Sequence, residues 1–430
     1  MQPYSPERRT AVVLCGTGAH GAYHAGVLRA LQEAGVKIDV MAGQGVGAAA
    51  AALAAIDGAS RLWEEQGVWR SGEVRSLYSW KWPVRAAAWL ACAAAAVVAL
   101  SALLTAAGVD AGALRWPLVA FGLIAAMTMV LGVGALAGGR AARRRGDGAW
   151  WWRVLGAPID AERARSMFAG ALWVLIRGGG QAARPDRPLI GRRYADVLSE
   201  NLGQPGFREL MLIVSDLDAR RDVVAGFLRE PYRQAFVAPR ADGERRSEVI
   251  DLAGTGRDLA FDVIAGALTP PVVCDPQPIT YGVDSYWRGE THRLCDRTGA
   301  CSRLLEELAA AGVSQAILVS AVAAARAPHR LTVPRLELRY RLSDALAAAE
   351  AAAVRDALEL ARLRFDSVYV ICPSHNPIGA FDLEGAYDEA SDRRQTLLEL
   401  MTRAYEDAYH QFIEPVVGAS GEQLAQMESR

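Results

Sequence analysis

Gly43-Gln44-Gly45-Val46-Gly47 has the frame of a nucleophile elbow, Gly-x-Ser-x-Gly, with glycine at the position of the serine. Such an elbow is a sharp strand-to-helix turn that lifts a hydroxyl toward substrate, and small flanking residues permit the bend. Gly45 has no side chain and cannot attack a carbonyl. Upstream lies Gly16-Thr17-Gly18-Ala19-His20-Gly21, a glycine-rich turn whose backbone N–H groups could receive an oxyanion. Together the two segments read as the chassis of a serine hydrolase without its nucleophile. Glycine adopts positive φ without strain, so the replacement keeps the turn and relieves its cost.

Such turns are useful only where strands and helices hold them. Ala11-Val12-Val13-Leu14 is a short apolar run that reads as a buried parallel strand. From Gly21 to Ala34, Ala22, Ala25, Val27, Leu28 and Leu31 fall on a helical period, and Gly35 closes the helix. Val36 to Ala42 is the next strand, and Ala48 to Ile56 a buried helix. The pattern predicts a βαβα unit on a parallel sheet. Gly16, Gly18 and Gly21 also fit the dinucleotide fingerprint G-x-G-x-x-G. That chemistry needs an acidic residue at the end of the second strand, where Gly43 stands; Asp39 lies at the strand's start.

From Leu14 to Leu53 the chain resembles the patatin-like phospholipases. That family carries a Gly-Gly-Gly-x-Arg/Lys-Gly oxyanion loop, then Gly-x-Ser-x-Gly, and later Asp-Gly-Gly. Ala25-Gly26-Val27-Leu28 and Ile38-Asp39-Val40-Met41-Ala42-Gly43 follow its pattern; Cys15, Thr17, His20 and Gly45 depart from it. Ile213 to Asp218, Leu268-Thr269-Pro270-Pro271-Val272 and Leu294-Cys295-Asp296 extend the likeness more loosely. The resemblance implies a three-layer α/β fold with a mainly parallel central sheet and a Ser–Asp dyad acting on lipid esters. Within it Gly45 marks the missing nucleophile and Asp296 the dyad aspartate, although both glycines after Asp296 are gone. Asp284 is the weaker counterpart. Gly16, Thr17, Gly18, His20 and Gly21 form the oxyanion loop, and Gly43 and Gly47 flank the elbow. The family needs no cofactor or metal. The expected activity is that of a lipid acyl hydrolase homologue impaired at its nucleophile and turned to lipid binding or regulation. The alternative is an active esterase with an unusual nucleophile.

Several residues also have plainer readings. Cys15 and Thr17 are small enough to serve tight packing. His20 reads as a structural histidine, with His24 one turn away, and two histidines without a third ligand make a poor metal site. Asp296 could cap a helix or pair with Arg297 or Arg303. Ser215, Ser285 and Ser374 are the candidates for a relocated nucleophile.

Residues 81–150 have a different character. Residues 86–109 and 116–139 carry no charge, with a short polar break between them, and each is long enough to span a bilayer as helix. Trp80, Trp82, Trp89, Trp116 and Trp150 to Trp152 gather near the expected interfaces. Arg75, Lys81 and Arg85 precede the hairpin, and Arg140, Arg143, Arg144 and Arg145 follow it. Positive flanks at both ends predict a multi-pass protein of the cytoplasmic membrane, with its α/β domain in the cytoplasm. Membrane lipids or acyl chains are the expected partners. Gly134-Ala135-Leu136-Ala137-Gly138 permits close helix packing or a homodimer.

The 430 residues thus divide into 1–80, the insert 81–150, the α/β remainder 151–417 and a tail 418–430. A net charge of −1 gives no electrostatic case for nucleic acid. The six cysteines show neither a paired framework nor metal spacing. Met167 to Ile176, Ile190 to Leu202, Ala345 to Arg362 and Arg393 to Ile413 read as helices, and Leu210 to Val214 and Ser367 to Cys372 as strands.

Overall fold

The computed structural model describes residues 4–108, 116, 119–124, 127, 157–178, 180, 183–238, 247–283, 285–323 and 338–418. Along the chain run β1 (Thr10–Cys15), α1 (Gly21–Glu33), β2 (Val40–Gln44), α2 (Val46–Ala55), β3 (Ser79–Trp80), α3 (Trp82–Ala106) and β4 (Ile159–Asp160). Next come α4 (Glu162–Ile176), α5 (Arg187–Asn201), β5 (Glu209–Asp216), β6 (Arg221–Phe227), α6 (Tyr232–Val237), β7 (Ser247–Asp251) and α7 (Ala260–Ala267). Then follow β8 (Gln277–Thr280), β9 (Thr291–Cys295), α8 (Cys301–Ala310), β10 (Gln315–Ser320), α9 (Leu338–Arg364), β11 (Ser367–Ile371), β12 (Ala386–Asp388), β13 (Arg393–Gln395) and α10 (Leu397–Ala408).

The chain divides into two compact units. The first, Met1–Tyr78 with Ala161–Pro271 and Pro276–Arg430, is built on one sheet of order β11-β10-β1-β2-β5-β6-β7, with β9 pairing to β5 and β8. The path from β11 to β5 is parallel throughout, whereas β6 and β9 join β5 antiparallel. Every residue of β1 and β2 is buried, as a parallel strand covered on both faces requires. Ala11, Val13 and Cys15 pack with Cys301, Leu304, Leu305 and Leu308 of α8 and Ala357 and Ala361 of α9. The sheet and its helices give the expected mainly parallel α/β architecture.

Some boundaries differ from the sequence reading. The second strand begins at Val40 rather than Val36 and runs on to Gln44, ending where the elbow turns. The expected helix Arg393 to Ile413 is interrupted at its start: Arg393–Gln395 pairs antiparallel with β12. Thr396 then opens α10 through a capping box, its hydroxyl accepting from the Glu399 amide at 3.3 Å while the Glu399 carboxylate accepts from the Thr396 amide at 2.8 Å. α10 continues into a wider helical stretch, Tyr409–Gly418, that holds Pro415. Residues 419–430 lie outside the described residues.

The second unit is Ser79–Asp160 with Val272–Asp275. β3 and β4 pair antiparallel, and the Ile159 amide donates to the Val273 carbonyl at 2.9 Å. Lys81 forms an ion pair with Asp275. α3 starts at Trp82, earlier than expected, and ends at Ala106. Its stretch Trp82–Leu104 is long and apolar enough to cross a membrane. Trp82, Trp89, Leu100 and Leu103 are exposed along it. Of residues 116–139 only 116, 119–124 and 127 are described, in helical conformation. Most of the second expected span, with Gly134 to Gly138, the arginines of 140–145 and Trp150 to Trp152, therefore falls outside the described residues, as does Asp284.

Candidate active site

β1 and β2 are parallel neighbours and end side by side, so their following turns meet above the sheet. Gly45 sits at the tip between β2 and α2 with φ 58° and ψ −134°. That backbone favours glycine. The frame around it is tight: a Cβ on Gly43 would come within 2.4 Å of Gly47 backbone, and one on Gly47 within 2.2 Å of the Leu14 carbonyl. Small residues at both positions are a steric requirement of the bend.

The elbow is closed at Gly45 itself. The Gly16 carbonyl oxygen accepts the Val46 amide at 2.9 Å. It lies only 2.3 Å from where a Cβ on Gly45 would stand. Contacts this short with backbone require the backbone to move. The glycine-rich loop Gly16–Gly21 is occupied in a similar way. The Ala19 amide donates to the Ala380 carbonyl at 2.8 Å, and the His20 amide to the Thr17 carbonyl at 3.3 Å. A Cβ on Gly18 would lie 2.0 Å from the same Ala380 oxygen. The Ala380 segment is buried and fixed by its own bonds, Gly379 amide to Asp382 at 2.9 Å and Phe381 amide to Ser343 at 3.3 Å.

Asp296 follows β9, and its amide donates to the Thr269 carbonyl at 2.8 Å. Its Oδ2 lies 3.1 Å from the Cβ position on Gly45. The structure thus brings Gly45, the Gly16–Gly21 loop and Asp296 together. Thr17 Oγ1 donates to Asp296 Oδ2 at 2.8 Å, and both residues are buried. Asp296 Oδ1 makes no hydrogen bond of ordinary geometry. Burial pushes the carboxyl up to about 7, while Thr17, the amides of Arg297 and Gly45 and the Thr298 hydroxyl partly restore the charged form. The plainer pairings are not made. Arg297 donates to Asp222 at 2.7 Å, Arg303 pairs with Glu306 and Asp222, and the cap of α8 is Ala300.

A second buried carboxylate belongs to the same pocket of polarity and was not foreseen. Glu350 of α9 accepts from Ser320 at the end of β10 at 2.8 Å and lies 3.9 Å from His20 Nδ1. Burial raises it to about 7, against the favourable Ser320 bond, and the nearby Asp296 adds to the rise. Glu350 sits in an alanine-rich helical run, where only its burial separates it from a solvated glutamate. His20 and His24 are buried and lowered to about 4, chiefly by desolvation. His24 Nε2 bonds to the Cys15 carbonyl at 2.9 Å. Both imidazoles are neutral near pH 7, so neither brings a positive charge to the glycine-rich loop.

The remaining candidates lie elsewhere. Ser215 is in β5 opposite Cys295. Ser285 donates to the Gly282 carbonyl in the turn after β8, and Ser374 is exposed after β11. No described hydrogen bond joins any of them to Asp296. Asp39 accepts the Thr10 amide at 2.9 Å and pairs with Lys37 at 3.2 Å, which leaves the dinucleotide reading without its ribose ligand.

Residues 12–121 match the family model described as patatin-like phospholipase. No curated protein matches the chain. Among solved structures it is similar to VipD from Legionella pneumophila, at 12% identity and TM-score 0.31, covering 95% of this chain and 66% of that one. It is also similar to the type III effector protein ExoU, at 15% identity and TM-score 0.32, covering 95% of this chain and 54% of that one. The chain spans under two thirds of the first protein's length and about half of the second's. Superpositions this loose bear on neither activity nor partner.

Proposed function

We propose that the chain, whose residues 12–121 match the patatin-like phospholipase model, is a membrane-anchored lipid-handling homologue of that family with impaired ester hydrolysis. The observation that carries the reading is the Gly16 carbonyl, 2.3 Å from the Cβ position of the missing serine. Nucleophile, oxyanion donors and orienting carboxylate act as a unit in covalent hydrolysis, so losing the first removes nearly all of that route. Here the Ala19 amide is also committed to Ala380, and Asp296 to Thr17. A domain arranged this way retains a lipid-esterase scaffold for binding or for regulating an active partner. The apolar helix Trp82–Leu104 and the uncharged stretch after it support anchoring in the cytoplasmic membrane, with the α/β unit in the cytoplasm.

A second reading has one specific observation behind it. Thr17 supplies the hydroxyl bonded to Asp296, which makes it the side chain best placed to act as an unusual nucleophile.

The experiment is treatment of the purified full chain with a fluorophosphonate probe alongside a short-chain phospholipid hydrolysis assay. The expected result is no label and turnover near background. Hydrolysis abolished by Asp296→Asn, with label on Thr17, would replace the first reading by the second. Label on Ser215, Ser285 or Ser374 would reject both in favour of a nucleophile elsewhere.

A further inference from the structure

A cleft of about 550 Å³ opens on the first unit, away in sequence from both glycine turns. Its lining comes from Glu73 and Ser76, from Arg163, Ser166, Met167 and Gly170 of α4, and from Arg184. Two guanidiniums thus face one carboxylate. Among the described residues, Arg163 and Arg184 have no carboxylate within ion-pair distance. Arg184 Nη1 donates to the Ser166 carbonyl at 2.8 Å, and its other donors are left for a ligand. Gly170 leaves the wall bare beside Arg184: a Cβ there would stand 3.8 Å from Arg184 Nη1, an ordinary van der Waals contact, so a longer side chain would enter the cleft. Met167 gives the cleft an apolar patch beside these cations.

We propose that this cleft binds the phosphate group of a phospholipid. A phosphate offers several acceptor oxygens, and a guanidinium fork matches two of them at once. The Ser166 hydroxyl can donate to a further oxygen, and Met167 suits the glycerol and first acyl carbons. In sequence, the residues that line the cleft bracket the insertion. Ser76 lies just before the chain departs into the apolar helix, and Arg163 just after it returns. The lipid source rests on the reading that the domain works at a membrane; the phosphate chemistry rests on the cleft alone.

The test uses the full chain purified in an uncharged maltoside detergent. Dihexanoylphosphatidylglycerol, inorganic phosphate and uncharged dihexanoylglycerol are titrated separately by calorimetry. The phospholipid binds and the uncharged lipid does not. The double variant Arg163→Gln/Arg184→Gln weakens binding by at least about tenfold, as loss of charge-assisted bonds requires. Gly170→Leu, which fills the cleft without touching charge, weakens it too, and both variants melt at the wild-type temperature. Inorganic phosphate binding as tightly as the phospholipid supports the phosphate site and assigns it to a soluble phosphate. Binding of neither, or binding that both variants leave unchanged, overturns the proposal. None of these readouts depends on whether the chain hydrolyses esters, so loss of this site and loss of the impaired-hydrolase reading are separate outcomes.

Discussion

Thr17 Oγ1 donates to Asp296 Oδ2 at 2.8 Å, across a separation of most of the chain, in a site where neither residue meets solvent. The carboxylate stands 3.1 Å from where Gly45 would carry a Cβ. In a Ser–Asp dyad the elbow hydroxyl would be this aspartate's partner. Here a loop hydroxyl takes that bond. Thr17 and Gly45 are therefore two halves of one arrangement: the elbow carries no side chain, and the glycine-rich loop supplies the hydrogen bond that one buried carboxyl oxygen of Asp296 accepts.

Removing that bond should cost stability whether or not any chemistry survives. Thr17→Val keeps the shape and deletes the donor, leaving a buried carboxyl oxygen without a partner. The expected loss is about 1–3 kcal/mol in urea unfolding. Thr17→Ser retains the hydroxyl and should lose less. Equal losses in the two variants would mean that methyl packing, not the hydrogen bond, sets the value of this position.

Restoring serine at the elbow should fail as a repair. Gly45→Ser places a Cβ against the Gly16 carbonyl and at positive φ. The expected destabilisation is about 1–3 kcal/mol, the usual scale for strained backbone and overpacking. Gly45→Ala should lose a similar amount, since the Cβ is the offending atom. Neither variant should gain fluorophosphonate label. Strong labelling of Gly45→Ser at wild-type stability would show that the Gly16 carbonyl yields easily and that the site is dormant rather than blocked.

The elbow, the glycine loop and the alternating α/β pattern were readable because each is local. Gly43, Gly45 and Gly47 are contiguous, and periodicity marks α1 and α2. Asp296 could be placed only through resemblance; in the fold it follows β9, its amide donates to the Thr269 carbonyl, and its carboxylate faces Gly45. The occupants of the site were not readable. Ala380 reaches the oxyanion loop, and Glu350 reaches Ser320, through tertiary packing that no spacing encodes. Thr17 offered a signal, a hydroxyl in a loop that otherwise favours glycine, yet its partner lies far along the chain. The start of the terminal helix is hidden in the sequence because β13 runs directly into the Thr396 cap without a loop of its own.

Membrane attachment has a direct test. If α3 and the uncharged stretch after it span a bilayer, the full chain should stay with membranes through high salt and alkaline carbonate and leave only with detergent. Deleting residues 86–139 should release it. Release of the intact chain by carbonate would reduce α3 to a surface or partner-binding helix.

Stability should depend on pH through buried groups of opposite sign. Asp296 and Glu350 each titrate near 7 in the folded chain, well above an ordinary carboxyl. They hold protons more tightly folded than unfolded. Their contribution is fully present below about pH 4 and is lost as pH rises toward 7. His20 and His24 titrate near 4, below an ordinary imidazole, so their contribution is present above about pH 6.5 and is lost as pH falls. Between these limits the two pairs partly cancel, and wild-type stability should vary little. Glu350→Gln keeps the acceptor for Ser320 and removes one titration. The variant should gain on the wild type by about 3 kcal/mol between pH 4.5 and 7.5, at roughly 1.4 kcal/mol per unit of displaced pKa. Urea unfolding of both proteins across that range measures it. Parallel curves would mean that Glu350 ionises as an ordinary surface carboxylate, and its burial beside His20 and Asp296 would then carry no charge penalty.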